Sequence, residues 1–305
     1  MFAIKNPPKI MIIKGLSRIG VFFLYLISLL PFWILYTISD VVYVVLYYLV
    51  GYRKDVVREN LANSFPEKTD AERLSIEKKY YRYLGDLIVE TIKTLSITEK
   101  EVMRRMVPMD KHTDQLVTDI FAQGKSILGV AGHYCNWEFA ALSCSMMTDQ
   151  ERIVVYKPLA NEVFDELFNK SRSKFGAETV AMKDILRKLV RIRNKRSFTV
   201  LLSDQTPVQE TVQYFTNFLN QPTAVFLGVE KLAKALDSVV VFCDLRCVKR
   251  GHYSYNFIPL AIDPKNTADY EITNLHVAHL EKEIRRAPEY WLWSHRRWKF
   301  KPRNV

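Results

Sequence analysis

The stretch SILGVAGHYCNWEFAALSCSMM, residues 126–147, reads as a strand, a tight turn and a helix in succession. Ile127 to Val130 form a short apolar run without polar alternation, which suits a strand covered on both faces. Gly132 lets the chain turn, and Asn136 is placed to cap the apolar helix that follows. A strand feeding directly into a helix is the repeating unit of an α/β layer. Open α/β sheets keep their ligand sites at the carboxyl ends of strands, and His133 stands just beyond one.

The same alternation continues outward from this unit. β-rich runs at 126–131, 152–156, 198–203, 239–245 and 253–258 are interleaved with helical stretches near 136–147, 161–175, 182–194, 223–236 and 268–286. This predicts an α/β fold with a mostly parallel sheet flanked by helices. Residues 52–95 show apolar positions at helical spacing, with Pro66 dividing two helices and Thr69 capping the second, and form a helical neck. No internal repeat or low-complexity linker interrupts residues 52–305, so they read as one domain.

Residues 19–50 are different material: IGVFFLYLISLLPFWILYTISDVVYVVLYYLV is apolar apart from Asp40, with Pro31 as its one proline. As one helix it would reach roughly 48 Å, beyond the ~30 Å core of a bilayer. It lacks the short apolar core and the cleavage site of a secretory signal. Residues 1–51 therefore read as a retained membrane anchor, with two helices bent near Asp40 as a hairpin or as one span plus an interfacial helix. Cations flank it on both sides (Lys5, Lys9, Lys14 and Arg18; Arg53, Lys54 and Arg58), so charge gives no crossing direction.

The net charge of +11 favours anionic partners, either nucleic acid, an acidic lipid surface or an acidic carrier protein. The four cysteines show no CxxC pair and no disulfide-dense spacing, which argues against an oxidised scaffold and a zinc knuckle. His276 and His279 share a helix face without a third ligand nearby, so no metal site is expected.

Within 131–139, His133 precedes Glu138 by five positions. A glutamate in the first turn of the helix can meet a histidine folded back from the loop, and a neutral imidazole held by a carboxylate can take a proton from an attacking hydroxyl. The competing reading of the same spacing is a histidine satisfied by turn backbone and a glutamate in solvent. There is no G-x-S-x-G elbow, so the acceptor hydroxyl would come from a substrate and attack directly.

GVAGHYCNWE (129–138), YKPLANEVFDELFNKSRSKFG (156–176), LLSDQTP (201–207) and YWLWSHRRWKFKPR (290–303), in that order, resemble the lipid A biosynthesis lauroyl/myristoyl acyltransferase family, within the lysophospholipid acyltransferase group. The resemblance implies a glycerolipid acyltransferase-like fold and transfer of a fatty acyl chain from acyl carrier protein or acyl-CoA to a hydroxyl of a lipid A precursor, without a cofactor. It implies that His133 is the general base and Glu138 its orienting partner. It places Arg172 near them, on an oxyanion or a phosphate, and makes Asp204 and Gln205 supporting or acceptor-binding residues. It also implies a bacterial inner-membrane protein with its catalytic domain on the cytoplasmic side. The rivals are O-acylation of another lipid (a lysophospholipid, an aminoacyl lipid or a polyene pigment) and a basic membrane-binding scaffold without activity.

The tail interleaves Trp291, Trp293 and Trp298 with Arg296, Arg297 and further cations. Aromatics beside cations suit anionic headgroups, and equally suit single-stranded nucleic acid; the apolar N-terminal segment decides for membrane. Trp293, Arg296, Arg297 and Trp298 are thus candidate headgroup contacts; the alternative is that Trp291 and Trp293 are core, with His295 and Arg296 tied to local carboxylates. Lys183, Arg187 and Arg191, at i, i+4 spacing, read first as an ordinary solvated face, with a docking face for an acidic carrier protein as the alternative.

Overall fold

In a computed structural model, the described residues are 7–302, with side chains from Lys14 onward except Thr211. Lys5 and Arg303, and the side chain of Lys9, lie outside them. The chain opens with two helices, α1 (Pro7–Leu29) and α2 (Phe32–Val44), the latter extended by a π-helical turn at Val45–Leu49. The break falls at Pro31, not near Asp40. Proline lacks the N–H that would continue the helix, and it disfavours helical backbone in the residue before it. Asp40 sits within α2, and its carboxylate pairs with Arg250 at 2.7 Å.

Next come α3 (Lys54–Ser64) and α4 (Asp70–Lys93). Thr69 and Glu72 form a reciprocal capping box that starts α4. After α5 (Glu99–Arg105), the strand–helix layer runs β1 (Met106–Pro108), α6 (Lys111–Ala122), β2 (Ile127–Ala131), α7 (Trp137–Cys144), β3 (Glu151–Tyr156), α8 (Glu162–Arg172), β4 (Glu178–Ala181), α9 (Ile185–Arg191) and β5 (Ser197–Leu202). A hairpin of β6 (Phe215–Phe218) and β7 (Gln221–Ala224) precedes α10 (Gly228–Leu236), β8 (Val239–Lys249), β9 (His252–Ala261) and α11 (Glu271–Arg286).

The main sheet has the order β1-β9-β8-β2-β5-β3-β4. All its pairings are parallel except β8 with β9. The α/β class and the mostly parallel sheet agree with the sequence reading. Two short strands, β1 and β4, and the β6–β7 hairpin had no signal strong enough to be read. β2 lies at the centre, buried along its whole length between β5 and β8, which is why it carries no polar alternation.

α4 is the spine of the helical side. Its buried residues Ile76, Tyr80, Tyr83, Leu84, Leu87 and Glu90 recur at i, i+3, i+4 and i+7. α2 lies against it through Leu35, Ser39 and Tyr43, continued by Tyr47 of the π turn. Gly85 permits this approach, because a Cβ there would lie 2.8 Å from the Ser39 carbonyl oxygen. The opposite side of α2 exposes Trp33, Val41, Val44 and Tyr48. α1 is tied along its length, from Lys14 with Glu162 on α8 to the Ser28 carbonyl, which accepts from Lys93. Among the described residues one helical segment, Phe32–Leu49, is long and apolar enough to cross a membrane, and its exposed apolar face is consistent with membrane association.

The buried face of α2 gives the N-terminal segment a second role, in the core. Losing Leu35, Tyr43 and Tyr47 from the interior costs roughly 1.5–3 kcal/mol each, a sum comparable to the whole stability of many domains. Deleting residues 1–51 is therefore expected to yield protein without a cooperative thermal transition by circular dichroism. Deleting only 1–29 should leave a folded body.

Candidate active site

β2 and β5 are parallel neighbours, and their last residues, Ala131 and Leu202, stand in register. The Ser203 amide donates to the Ala131 carbonyl at 3.1 Å, so the two chains leave the sheet side by side. His133 and Asp204 are each two residues beyond the paired positions, and their side chains meet. The Asp204 carboxylate accepts from the His133 backbone amide at 2.8 Å and lies 2.6 Å from its ring Nδ1. Gly132 makes the approach possible, since a Cβ there would come within 2.6 Å of Leu280 and 3.2 Å of Asp204 Oδ2.

Asp204 is itself buried, and Trp291 Nε1 donates to its Oδ2 at 2.8 Å. Burial alone would raise its pKa. The charge of His133 and the hydrogen bonds from His133 and Trp291 outweigh burial and hold the carboxyl down at about 2. An ionised carboxylate against Nδ1 fixes the ring proton on that nitrogen and leaves Nε2 as the basic atom. Gln205 Nε2 lies 3.2 Å from His133 Nε2, and the Trp137 ring meets the imidazole edge to face at 5.0 Å.

The expected pairing of Glu138 with His133 is replaced by a different one. Glu138, in the first turn of α7, accepts from Arg172 Nε at 3.0 Å and from Nη2 at 2.6 Å, a bidentate clamp across α7 and α8. Burial works against the charge on Arg172, and Glu138 more than restores it, so its pKa is raised. The site thus holds two side-chain pairs, the hydrogen-bonded His133–Asp204 and the ion pair Arg172–Glu138. Local spacing suggested a bond between their members because Glu138 is near in sequence, whereas Asp204 is near through the sheet.

The turn between β2 and α7 is held from several directions. Asn136 accepts from the Phe139 amide at 2.8 Å and so caps α7, while its side-chain amide donates to Glu90 at 2.6 Å. Glu90, fully buried on α4, also accepts from Tyr36 of α2 at 2.8 Å and from Tyr253 at 2.7 Å. Burial pushes its pKa up to about 7 despite those bonds. Cys135 adopts a left-handed backbone (φ 50°), rare for a residue with a Cβ. It is secured by its amide, which donates to the Tyr290 carbonyl at 3.0 Å, and by the Tyr83 hydroxyl, which donates to its carbonyl. Glu90, Tyr83 and Trp291 are contributors that the sequence reading missed; no motif links them to the loop.

The tail requires a correction. Trp293 and Arg297 are interior residues, 0% and 3% exposed, and cannot lie on headgroups. Trp298 is half-buried, with its Nε1 donating to Thr223 at 2.7 Å; Arg296 alone of the four is exposed. Instead of facing solvent, the tail forms the back of the site: Trp291 holds Asp204, and His295 Nε2 accepts from the Thr206 amide at 3.2 Å. Of the expected carrier-docking cations, Lys183, Arg187 and Arg191 are all exposed, with Lys183 falling in the turn before α9.

The sequence has relatives. The profile of the bacterial lipid A biosynthesis acyltransferase family matches residues 6–300. The lipid A biosynthesis lauroyltransferase of Escherichia coli (strain K12) is 24% identical over 294 residues, covering 95% of this chain and 93% of that one. The palmitoleoyltransferase of the same organism is 23% identical, covering 82% and 80%. A lipid A biosynthesis acyltransferase of Haemophilus influenzae is 22% identical, covering 90% and 85%. A match over nearly the whole length makes this chain a member of the bacterial lipid A biosynthesis acyltransferase family, with acyltransferase activity toward lipid substrates.

Proposed function

We propose that the protein transfers a fatty acyl chain from a carrier thioester, acyl carrier protein or acyl-CoA, to a hydroxyl of a lipid A precursor at the cytoplasmic face of the bacterial inner membrane. The observation that carries the chemistry is the His133–Asp204 contact of 2.6 Å at the end of the central strands. His133 Nε2 takes the proton of the acceptor hydroxyl as that oxygen attacks the thioester carbonyl. The tetrahedral intermediate then expels the thiolate, which recovers the proton from the imidazolium. Asp204 does not give up or take a proton; it orients the ring and stabilises the imidazolium.

Arg172 is committed to Glu138 through Nε and Nη2, which leaves Nη1 for an oxyanion or a phosphate of the acceptor. Glu138 in this reading aims the guanidinium, not the imidazole. An apolar cavity of about 20 Å³ between α7 and the sheet, lined by Trp137, Ala140, Cys144, Leu245 and Phe257, supports an acyl path beginning beside His133, which must widen to take a chain. The exposed apolar face of α2 would bring the site to the lipid surface, with residues 1–51 as the membrane-attached part and 52–305 as the catalytic body. Exposed Lys183, Arg187 and Arg191 are the face offered to an acidic carrier.

His133→Ala is expected to abolish acyl transfer, and Asp204→Asn to lower kcat by roughly 10²–10⁴-fold through loss of the tautomer and the stabilised imidazolium. Both are checked with an acyl-carrier thioester and lipid acceptor in vitro; full activity of folded His133→Ala protein would remove the proposed base. The acceptor is tested by mass spectrometry of lipids from cells with and without the gene. Lipid A lacking one acyl chain in the deletion is the expected result, and unchanged lipid A would reject that acceptor.

Stability should also report on Asp204. Its folded pKa, about 2, lies below the ordinary value of 3.8, so it stabilises the fold above pH ~4 and loses that contribution as pH falls toward 2. Subtracting the acid-unfolding curve of Asp204→Asn from that of the wild type should show a difference on the order of 2 kcal/mol fading across that window.

A further inference from the structure

Beside Asp204 lies a cavity of about 10 Å³ between the sheet and α11, room for about one water. Its walls are mostly apolar, with Val130, Phe218, Phe242 and Leu280 among them, but four polar residues also line it: Ser203, Asp204, His276 and Arg297. The polar atoms are poorly satisfied. Arg297 Nε and Nη1 and His276 Nε2 are buried without a hydrogen-bond partner among the described residues. An unpaired guanidinium in an apolar interior is expensive unless an opposite charge lies close by. The carboxylate lining the same cavity is Asp204.

We propose that Arg297 is a positioning residue whose buried guanidinium, reaching Asp204 through one internal water, offsets that carboxylate's charge and keeps the imidazole of His133 neutral and free to accept a proton. The proposal rests on His133 being the base. A carboxylate alone against Nδ1 favours the imidazolium, and a base already protonated at neutral pH is useless. A fixed cation behind the carboxylate reverses part of that pull. A water in the cavity can accept from Arg297 and donate to Asp204 and to His276 Nε2, satisfying the orphaned atoms.

The other groups around the imidazole do not supply this charge. His276 of α11 and His295 of the tail are each pushed down to about 4 by burial and are neutral at pH 7. Glu138 and Arg172, on α7 and α8, neutralise each other. Gln205 and Trp137 are uncharged. Glu230, which acts on His276 from α10, is taken up by Thr273, the Tyr270 amide and Lys234. Burial pulls the Arg297 pKa down to about 10, against the attraction of Asp204, so it stays charged at neutral pH.

The test compares kcat/KM against pH, and the NMR titration of the His133 imidazole, in full-length wild type, Arg297→Gln, Arg297→Met and Arg297→Lys. Loss of the cation should move the acidic limb and the imidazole titration up by roughly one pH unit. The high-pH plateau should stay within a few-fold, and Arg297→Lys should bring the limb back toward the wild type. Arg297→Met suits the apolar lining and keeps the test available if the glutamine variant does not fold. A limb and titration unmoved in a folded neutral variant, or a uniform loss of activity at every pH with Lys no better than Met, would overturn the proposal. Failure of the base reading is separable: His133→Ala would then stay active, while the NMR titration would still report on Arg297.

Discussion

Asp204 is the constraint on which the site depends. A buried carboxylate must be surrounded by donors or give up its charge, and this one receives the His133 amide, the His133 ring and the Trp291 indole. Together these bonds tie the loop after β2 and the C-terminal tail to a carboxylate on the loop after β5. Remove the carboxylate and the tail loses its anchor as surely as the imidazole loses its orientation. The glycine at 132 follows from the same constraint, since any side chain there would occupy space taken by Leu280 and Asp204.

The second frame around the site is helical. α4 reaches it through Tyr83 on the Cys135 carbonyl and Glu90 on Asn136, and reaches α2 through Gly85, Asp86 and again Glu90. Arg250, at the turn between β8 and β9, joins Asp40 of α2 to Asp86 of α4. The apolar N-terminal segment is consequently packed on one side and exposed on the other, so its exposed apolar face and the shape of the loop after β2 share a common set of buried contacts. One carboxylate, Glu90, stands between them.

Much of the fold was legible because its signals are local. The apolar run before Gly132, the cap at Asn136 and the Thr69 box each report on the next few residues, and all three appear where the pattern puts them. Long-range adjacency is not written that way. That β2 and β5 are neighbours, with Ala131 opposite Leu202, is a property of the sheet order, and it alone decides that His133 finds Asp204 in preference to Glu138. A hint existed in GVAGH and LLSDQ, two buried runs that each carry a titratable side chain two residues past the strand end. The tail misled for the opposite reason: tryptophan and arginine in alternation resemble a headgroup surface by composition, but Trp291, Trp293 and Arg297 fill the interior behind the sheet.

The central claim, that the imidazole of His133 is oriented by Asp204 and not by Glu138, is most directly tested by the Nδ1 proton of His133 in histidine-labelled protein. A proton shared with a carboxylate at 2.6 Å resonates far downfield in the NMR spectrum. The account predicts that this signal is present in the wild type, survives Glu138→Gln and disappears in Asp204→Asn. A signal that is lost in Glu138→Gln and retained in Asp204→Asn would contradict it.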